Sequence, residues 1–381
     1  MKLLRIIASM DPRQGGPVEG LCRSTERLTA LSHETEVICL DPPGVFAGPS
    51  AVPVHGMGPV ARKYGYTRSV GRWIAMNAGR FDVAVVHGLW NHASVGGGAA
   101  VIQAGLPHVV FPHGMMDPWF RRAHPAKHLA KQVLWWAGQG RVLARAHAVL
   151  FTSEQERLDA EGVFLGPGYP AQVIPYGAAG PTARPSAGVR LRRRLPALGR
   201  YLLFMGRVHS KKGCDLLLQG FARAGAGLEL VMAGPEGEAG LIRKLQQQAT
   251  ALGLAGRVHW PGMLTGEDKW DALAGAEAFI LPSHQENFGI AVAEALACGT
   301  PVLLSDKVNI WREIVADAAG LVAPDTAAGV EQLLERWRAL EPDARNGMRH
   351  AARQSHARRF HIHRAADALA EVLAEAAEVR A

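Results

Sequence analysis

Short apolar segments alternate with longer amphipathic segments along most of the chain. In the first half, the apolar segments occupy residues 3–9, 35–40, 82–88, 108–114, 148–153 and 172–177. Amphipathic segments such as 23–31 and 126–145 separate most of them. Continuous apolar strands that alternate with helices are typical of a parallel sheet covered by helices on both faces. The pattern therefore predicts an α/β domain.

The alternation is interrupted at residues 177–200, where glycine, proline, alanine and arginine predominate. This composition is typical of a domain boundary, although a surface loop within one domain would look similar. A second series of strands and helices then begins. We predict an α/β fold with two doubly wound, Rossmann-like domains. The predicted parts are an N-terminal domain at 1–180, a linker at 181–200, a C-terminal domain at 201–360 and a last helix at 361–381 that packs back on the first domain.

The charge and the cysteines narrow the functional classes. The 381 residues carry a formal net charge of +8 and give a pI near 9.6, which favours polyanionic partners such as nucleotides and anionic lipid headgroups. The four cysteines are far apart, so neither a disulfide framework nor a zinc site is expected. No segment approaches the roughly 20 apolar residues of a membrane span. We expect a cytoplasmic protein, with peripheral contact at the inner face of the membrane as a further option.

A glycine-rich turn follows the first predicted strand. In open α/β sheets, ligands bind beyond the carboxyl ends of the strands. The segment "DPRQGGPVEG" places Gly15 and Gly16 at such an end, before a helix whose free N–H groups attract anions. It matches neither the dinucleotide nor the P-loop pattern. A plain loop would account for these glycines equally well, so the turn alone assigns no ligand.

Two histidines also stand at predicted strand ends in the first domain. "FPHGMMDPW" contains His113 next to a glycine that allows close approach of a ligand, and Asp117 lies four residues later. "HGLWN" begins with His87 in the equivalent position of another strand. Strand-end histidines are also found as plain surface residues. We predict a polar-site role for His113, and acceptor-side roles for His87 and Asp117.

A basic turn follows the first strand of the second domain. The segment "GRVHSKKG" carries Arg207 and Lys212 where the strand gives way to a helix. Together with the helix N–H groups, these cations could neutralise a diphosphate. On its own, a solvated basic turn would be the simpler explanation.

The segment "HQENFGIAVAEALACGTPVLLSD" places two carboxylates around an apolar helix. Glu286 precedes Asn287, Phe288 and Gly289 in a strand-to-helix loop, and Glu294 lies eight residues after Glu286, which is about two helical turns. No other charged residue occurs between residues 288 and 304. Because burial of an unpaired carboxylate is costly, we expect a semi-buried Glu294 with a polar partner such as ligand hydroxyls.

These motifs resemble those of one glycosyltransferase family. The "HQENFGIAVAEALACGTPVLLSD" segment is similar to the E-x7-E signature of retaining glycosyltransferases with the GT-B fold, most closely glycosyltransferase family 4. "GRVHSKKGCDLLLQGFA" resembles the basic donor-phosphate segment of that family, and "AGPEGE" and "RVHWPGML" resemble its nucleotide-side strands. The resemblance is specific over residues 200–325 and weaker in the first domain. It implies two domains that face a central cleft and C-terminal helices that cross back to the N-terminal domain.

The resemblance also implies roles for single residues. Glu286 would bind donor-sugar hydroxyls and Glu294 the ribose, while Arg207 and Lys212 would stabilise the departing diphosphate. The backbone at Asn287, Phe288 and Gly289 would lie near the sugar and the phosphate. Gly15 and Gly16 would lie against the diphosphate from the first domain, and His113 beside the anomeric carbon.

The implied reaction is retaining transfer of a sugar from a nucleotide-diphosphate sugar to a glycan or lipid-linked glycan, as in bacterial surface polysaccharide synthesis. No cofactor is implied, and the sequence has no Asp-x-Asp motif, which suits a metal-independent enzyme. A GT-B epimerase or phosphorylase and a non-catalytic nucleotide-binding protein are the alternatives. No nucleic-acid module is recognised, so we expect no nucleic-acid partner.

Residues 118–147 form a basic segment that is rich in aromatic residues. Anionic headgroups could meet its cations while its aromatic residues lie at the membrane boundary. A helix with tryptophans in the core and solvated cations would have the same sequence. The cations are Arg121, Arg122, Lys127 and Lys131, and the aromatic residues are Trp119, Phe120, Trp135 and Trp136.

Overall fold

The computed structural model describes residues 1–46, 48–49, 52–61, 64–119, 121 and 124–379. Within these residues the chain divides into two compact units. The first unit contains Met1–Gly177 together with Ile362–Ala381, and the second contains Ala178–His361. Each unit has its own sheet, so each can be considered by itself.

The described part of the first unit contains a seven-stranded sheet in the order β3-β2-β1-β4-β5-β6-β7, with parallel pairing throughout. Most of the strands are apolar and buried along their length, as a parallel sheet with helices on both faces requires. Its strands are β1 Lys2–Ile6, β2 Glu34–Cys39, β3 Val54–Gly56, β4 Val83–His87, β5 His108–Phe111, β6 Ala148–Phe151 and β7 Ala171–Val173.

The described part of the second unit contains a six-stranded parallel sheet in the order β10-β9-β8-β11-β12-β13. The order reverses between β8 and β11, and it is at such a switch point that open α/β sheets bind ligands. Its strands are β8 Tyr201–Met205, β9 Glu229–Ala233, β10 Val258–Gly262, β11 Ala278–Leu281, β12 Val302–Ser305 and β13 Gly320–Ala323.

Helices connect the strands and cover the sheets. Those of the first unit, in the described residues, are α1 Gly16–Ala30, α2 Arg68–Asn77, α3 Gly98–Gln103, α4 Pro125–Leu134, α5 Gly140–Ala144 and α6 Glu154–Ala160. Those of the second unit are α7 Val189–Arg194, α8 Cys214–Ala224, α9 Leu241–Ala251, α10 Gly266–Gly275, α11 Ile290–Ala297, α12 Trp311–Ala316, α13 Ala327–Ala339 and α14 Pro342–Ser355. The last helix, α15, spans Ile362–Glu378.

Of the C-terminal helices in the described residues, only α15 packs in the first unit. Leu369, Leu373 and Ala376 are buried in one core cluster with residues of β1, β4 and β5. The helix also lies along α1, where Arg27 Nε donates to Asp367 Oδ1 over 3.0 Å. The helices α13 and α14 pack within the second unit, because their apolar faces cover its sheet and α11.

The two parallel α/β units confirm the predicted fold class. Residues 181–200, which the composition predicts as a linker, lie in the second unit. Buried Asp271 ties them to α10, since its carboxylate accepts hydrogen bonds from the backbone N–H groups of Gly188 and Leu191, each over 3.1 Å. This carboxylate binds the start of α7, so the segment that suggests a boundary contains a helix anchored in the second unit.

Candidate functional site

Two of the predicted motifs lie side by side at the switch point of the second sheet. The basic turn follows β8 and the loop with Glu286 follows β11, and these strands are hydrogen-bonded neighbours. The backbone N–H of His284 donates to the carbonyl of Lys211 over 2.8 Å, which joins the two loops directly. Gly213 permits this approach, because a Cβ there would lie 2.0 Å from the carbonyl oxygen of Pro282.

Lys212 and Glu286 form an ion pair within this junction, and each side chain is 15% exposed. The predicted roles assign both to a ligand, and the structure pairs them with each other. Burial, reinforced by the charges of Lys211 and Arg207, lowers the pKa of Lys212 to about 7. The charge of this lysine therefore depends on the anions near it.

The backbone on both sides of Glu286 is fixed by the loop after β12. Its N–H donates to the carbonyl of Lys307 over 3.0 Å, and its carbonyl accepts from the N–H of Asn309 over 3.0 Å. Gly289 then caps α11 with φ 77° and has no side chain to bind the first N–H groups of the helix. The N–H groups of Val292 and Ala293 donate to the carbonyl of Gly289, so the N–H groups before them are the ones that the start of the helix presents beside Glu286.

Glu294 lies in the middle of α11 and is buried, and its partner is a lysine that the sequence analysis did not identify. Its Oε1 lies 2.6 Å from Nζ of Lys269 on α10. Lys269 Nζ also lies 4.3 Å from the ring centroid of Trp270. In the sequence, Lys269 has the pattern of an ordinary solvated cation on an amphipathic helix, so only the packing of α10 on α11 identifies it.

Arg207 is exposed on the basic turn and makes no ion pair with any residue that the structure describes. The turn itself is held by Glu238, which accepts a 2.6 Å hydrogen bond from Ser210 Oγ and lies 3.0 Å from His209 Nδ1. Glu238 is a second residue that the sequence analysis did not single out, although it occurs in the quoted "AGPEGE". The second unit thus presents a guanidinium, an ammonium, helix N–H groups and carboxylates around one sheet edge.

In the first unit, His87 and His113 contact each other. His87 is the last residue of β4, and His113 lies two residues after the end of the neighbouring strand β5. His87 Nδ1 lies 3.1 Å from His113 Nε2. Their rings stack with a centroid distance of 5.4 Å, and both stack on Phe111. Burial lowers the pKa of His87 well below its usual value, and burial with the charge of Arg5 lowers that of His113 to about 4. Both imidazoles are therefore neutral at physiological pH.

The backbone at His113 is unusual for a residue with a side chain. Its φ is 51°, in the left-handed region, and such strain occurs mainly at functional positions. Buried Glu156 fixes the following residue, because its carboxylate accepts 2.7 Å hydrogen bonds from the N–H of Gly114 and from Thr152. Asp117, on the same segment, accepts a 2.7 Å hydrogen bond from the N–H of Trp119.

The glycine-rich turn of the first unit ends in open backbone. Gly15 has φ 78° and caps α1, and Gly16 is the first residue of that helix. A Cβ on Gly15 would meet no atom within 4 Å, so the space beside this turn is open. The helix end itself offers few donors, because Pro17 has no N–H and the N–H groups of Val18 and Glu19 already donate to the carbonyl of Gly15. Across the described residues, no group of three or more His, Cys, Asp or Glu side chains is arranged to hold a metal ion.

Two family models match different parts of the chain. A glycosyl transferase 4-like domain matches residues 15–177, and the glycosyl transferases group 1 domain matches residues 193–355. A D-inositol 3-phosphate glycosyltransferase of Xylanimonas cellulosilytica is 28% identical over 319 residues, which are 81% of this chain and 70% of that protein. A homologue of the same name from Saccharomonospora viridis is 33% identical over 202 residues, 50% of this chain and 46% of that protein.

A third relative, the mannosylfructose-phosphate synthase of Agrobacterium fabrum, is 33% identical over 132 residues, 32% of this chain and 29% of that protein. The chain thus spans about half or less of the length of two of these three relatives.

Solved structures match the fold over nearly the whole chain. The sucrose-phosphate synthase of Thermosynechococcus elongatus has a TM-score of 0.79 at 18% identity, with 98% of each chain covered. Anabaena Alr3699/HepE in complex with UDP-glucose has a TM-score of 0.75 at 19% identity, with 100% of this chain and 99% of that chain covered. With both family models and both sheets in agreement, the chain belongs to the group 1 glycosyltransferases and has the GT-B fold.

Proposed function

We propose that the protein is a retaining, metal-independent glycosyltransferase that moves a sugar from a nucleotide-diphosphate sugar to a glycan or lipid-linked glycan, in the synthesis of a bacterial surface polysaccharide. The observation that carries the proposal is the junction between β8 and β11, where the Lys212–Glu286 ion pair, Arg207 and the start of α11 converge on one sheet edge. Cations and carboxylates in one place suit a ligand that has both phosphates and hydroxyls.

The ion pair gives both side chains a partner that the donor can replace when it binds. A diphosphate would bind Lys212 and Arg207 and would leave Glu286 to accept hydrogen bonds from the donor-sugar hydroxyls. Lys269 would remain with Glu294 while the second carboxylate oxygen binds the ribose. The two lysines and the two glutamates thus have a partner before and after binding, which limits the cost of keeping them at a buried edge, whereas exposed Arg207 is solvated until the donor binds.

Transition-state stabilisation follows from the same groups. Cleavage of the sugar–phosphate bond builds negative charge on the departing diphosphate. Arg207, Lys212 and the first N–H groups of α11 are positioned before the reaction, so they stabilise that charge without reorganisation. These groups supply the positive charge that a metal ion supplies elsewhere, which is the basis for proposing metal independence.

In the first unit, we assign His113 to the sugar side of the reaction, with Gly15 and Gly16 near the diphosphate and Asp117 near the acceptor. Support comes from the strained backbone of His113 and from its contact with His87, which fixes the ring. A neutral imidazole can donate one hydrogen bond to a hydroxyl or accept one from it. It does so without placing a positive charge beside the oxocarbenium ion that develops on the sugar. His87 acts as a positioning residue in this arrangement.

The donor experiment measures release of nucleoside diphosphate from UDP-, GDP- and ADP-sugars with EDTA present and no acceptor. UDP-sugars come first, because Anabaena Alr3699/HepE was solved with UDP-glucose. We expect slow release from one donor, and loss of that release in Glu286→Gln but not in Glu335→Gln, an exposed glutamate on α13. Release that appears only with added divalent metal would refute metal independence. Nucleotide binding without release under any acceptor would instead support a non-catalytic binding protein.

Retention of configuration needs a separate test. Once the donor is known, the anomeric configuration of the product can be read from its proton NMR coupling constants. A product with the donor's configuration supports the retaining assignment, and inversion refutes it.

A peripheral membrane contact is the last part of the proposal, and an exposed apolar stripe on α4 supports it. Leu129 and Val133 on α4, Trp136 just after it and Leu165 beside it are between 56% and 70% exposed. Trp136 Nε1 donates to the carbonyl of Leu165 over 2.7 Å, so these residues form one patch. Exposed Lys127 lies on the same helix.

The structure corrects one residue of the predicted membrane surface. Trp135 is buried and stacks on Phe164, so it belongs to the core, whereas its neighbour Trp136 faces outward. Phe120 and Arg122 lie outside the described residues. No helix that the structure describes is both long and apolar enough to cross a bilayer. The stripe therefore supports contact with a membrane surface through one helix face.

Sedimentation with vesicles tests this contact. We expect binding to vesicles with anionic lipid that weakens with salt, and little binding to neutral vesicles. Trp136→Ser should reduce it, while Met76→Ser, which changes an even more exposed apolar residue on α2, should not. Equal binding of the two variants would refute the assignment of this surface.

A further inference from the structure

The first unit contains a buried arginine with hydrogen-bond donors that lack an acceptor. Arg5, on β1, is 0% exposed. Its Nη1 donates to Ser24 Oγ over 2.9 Å and to the carbonyl of Leu21 over 3.3 Å. Its Nε and Nη2 are enclosed and have no hydrogen-bond partner among the described residues. Because a guanidinium stays charged in proteins, the groups around it have to accommodate its positive field.

His87 lies on the same face of the sheet as this arginine. Arg5 is opposite Val85 of β4 in the parallel register, and His87 follows two residues later, so both side chains point to one face. Both also line one small cavity, together with apolar side chains such as Phe111 and Leu369. Apolar surroundings screen a charge poorly, so the field of the guanidinium reaches the histidine ring.

The two ring nitrogens of His87 have different surroundings. Nδ1 lies 3.1 Å from His113 Nε2. Nε2 is enclosed and has no hydrogen-bond partner in the described part of the chain. Among the described residues, the cavity wall includes His87 and Arg5 but not His113. Nε2 is therefore the ring nitrogen of His87 on the side of the arginine.

One hydrogen has to lie between the two imidazoles, and either ring can provide it. Both rings are neutral, because burial and the charge of Arg5 lower the pKa of each. In one arrangement, His87 donates from Nδ1 and has a lone pair on Nε2. In the other, His113 donates from Nε2, and His87 then carries its hydrogen on Nε2.

The buried guanidinium distinguishes these two arrangements. A hydrogen on His87 Nε2 would place an enclosed N–H donor on the side of Arg5, where two further donors already lack acceptors. A lone pair on Nε2 places negative charge density there instead. In surroundings of low dielectric constant, the second situation is the more favourable one, because it opposes a dipole of the right sign to an uncompensated positive charge.

We propose that Arg5 is a positioning residue that keeps the shared hydrogen on His87 Nδ1 and thereby makes His113 a hydrogen-bond donor through its own Nδ1–H. His113 is half-buried, and its Nδ1 is neither enclosed nor bonded to a described residue, so this N–H is open to a ligand. The Nε2 lone pair of His113 is occupied by His87. His113 can therefore donate to a substrate oxygen but cannot take a proton from a hydroxyl. The hydrogen positions concern the protein alone, whereas donation to a sugar oxygen rests on the proposed function.

Nuclear magnetic resonance of protein labelled with ¹⁵N-histidine tests the hydrogen positions. Proton–nitrogen correlation spectra of the rings distinguish a protonated nitrogen from one that has a lone pair. The variants His87→Gln and His113→Gln assign the two rings through the signals that they remove. In the ligand-free wild-type protein, we expect the hydrogen on Nδ1 of both rings. A hydrogen on Nε2 of either ring would overturn the proposal, whether or not any variant of Arg5 folds.

Variants of the arginine test its own part. Arg5→Met should move the hydrogen to Nε2 in a measurable fraction of both rings. Arg5→Lys, which keeps N–H donors at this position, should retain the Nδ1–H signals. Arg72→Met removes an exposed arginine of the same unit and should leave the spectrum unchanged. A folded Arg5→Met protein with the wild-type hydrogen positions would show that the arginine has only a structural role.

Addition of the nucleotide sugar that supports release in the donor experiment separates this inference from the proposed function. We expect the Nδ1 proton of His113 to shift when that nucleotide sugar binds, with the hydrogen still on Nδ1. A nucleotide sugar that binds without shifting this proton would refute the contact between His113 and the sugar. The hydrogen positions in the ligand-free protein are judged independently of that result.

Discussion

The Lys269–Glu294 pair permits a quantitative test of how the second unit keeps a carboxylate inside an apolar helix. The two charges are 2.6 Å apart, and their side chains are 21% and 10% exposed. At an effective dielectric constant of about 20, the direct attraction is roughly 6 kcal/mol. Desolvation of both groups offsets most of that energy. Loss of one partner from a fully buried pair costs about 3–5 kcal/mol, and an exposed pair contributes below about 1 kcal/mol.

The partial exposure of Lys269 places this pair between those limits. We therefore expect Lys269→Met to lower the free energy of unfolding of the second unit by about 2 kcal/mol, because Glu294 loses its cation and Trp270 its cation–π contact. Glu294→Gln should cost about 1 kcal/mol, since the lysine can turn toward solvent. The double variant should be less destabilised than the sum of the two, with a coupling energy of about 2 kcal/mol.

The assay must resolve the second unit from the first. Hydrogen exchange in a urea series, read by mass spectrometry on peptides from β11, α11 and β12, gives the opening free energy of this region. Lys244→Met serves as the control, because it removes an exposed lysine from α9 and should change stability by less than about 0.5 kcal/mol. If the effects of Lys269→Met and Glu294→Gln add within about 0.5 kcal/mol, the ion pair does not account for the burial of Glu294.

Three further predictions concern single positions. Gly289→Ala should lower the free energy of unfolding by about 1–2 kcal/mol, since the residue has φ 77° and its new Cβ would lie 3.3 Å from Glu286 Cγ. It should also weaken nucleotide binding. Scanning calorimetry measures the first effect, and titration calorimetry with UDP measures the second. Nucleotide affinity should fall as the pH rises above about 7, because burial lowers the pKa of Lys212 and the diphosphate binds its charged form; Lys212→Arg should flatten that pH profile. Gly20→Ala should displace the Tyr176 ring, because the new Cβ would lie 1.7 Å from the tyrosine hydroxyl oxygen. We expect a lower melting temperature, which the second substitution Tyr176→Phe should partly restore.

The fold was largely predictable because its signal is local. Parallel strands are buried on both faces, so they appear in the sequence as continuous apolar segments, and the helices between them are amphipathic. That residues 181–200 belong to the second unit was not predictable from composition, because a short helix anchored by Asp271 between loops and a flexible linker can both be rich in glycine and proline. The distinction depends on one carboxylate that lies far away in the sequence.

The site was predictable in its positions but not in its pairings. The wholly apolar surroundings of Glu294 indicated a buried carboxylate, yet nothing in the sequence distinguishes Lys269 from other lysines on polar helix faces. Trp135 and Trp136 show the same limit, since adjacent residues on a helix face different directions and only the packing decides which one is buried. Sequence patterns report burial and strand ends, whereas the partner of a charge is set by tertiary contacts.

The two lysine–carboxylate pairs suggest why a donor site of this kind can exist without a ligand. Glu286 and Glu294 are the carboxylates that the family resemblance assigns to donor hydroxyls, and each has a lysine beside it in the structure. Hydroxyls can replace or share such a partner, because a carboxylate accepts several hydrogen bonds. The phosphates of the donor would at the same time take over Lys212. Binding would therefore exchange one set of charge pairs for another, so that most of the binding energy is available to orient the sugar. Because Lys212 contacts the phosphates in this scheme, Lys212→Met should weaken the binding of a nucleoside diphosphate more than the binding of the nucleoside alone.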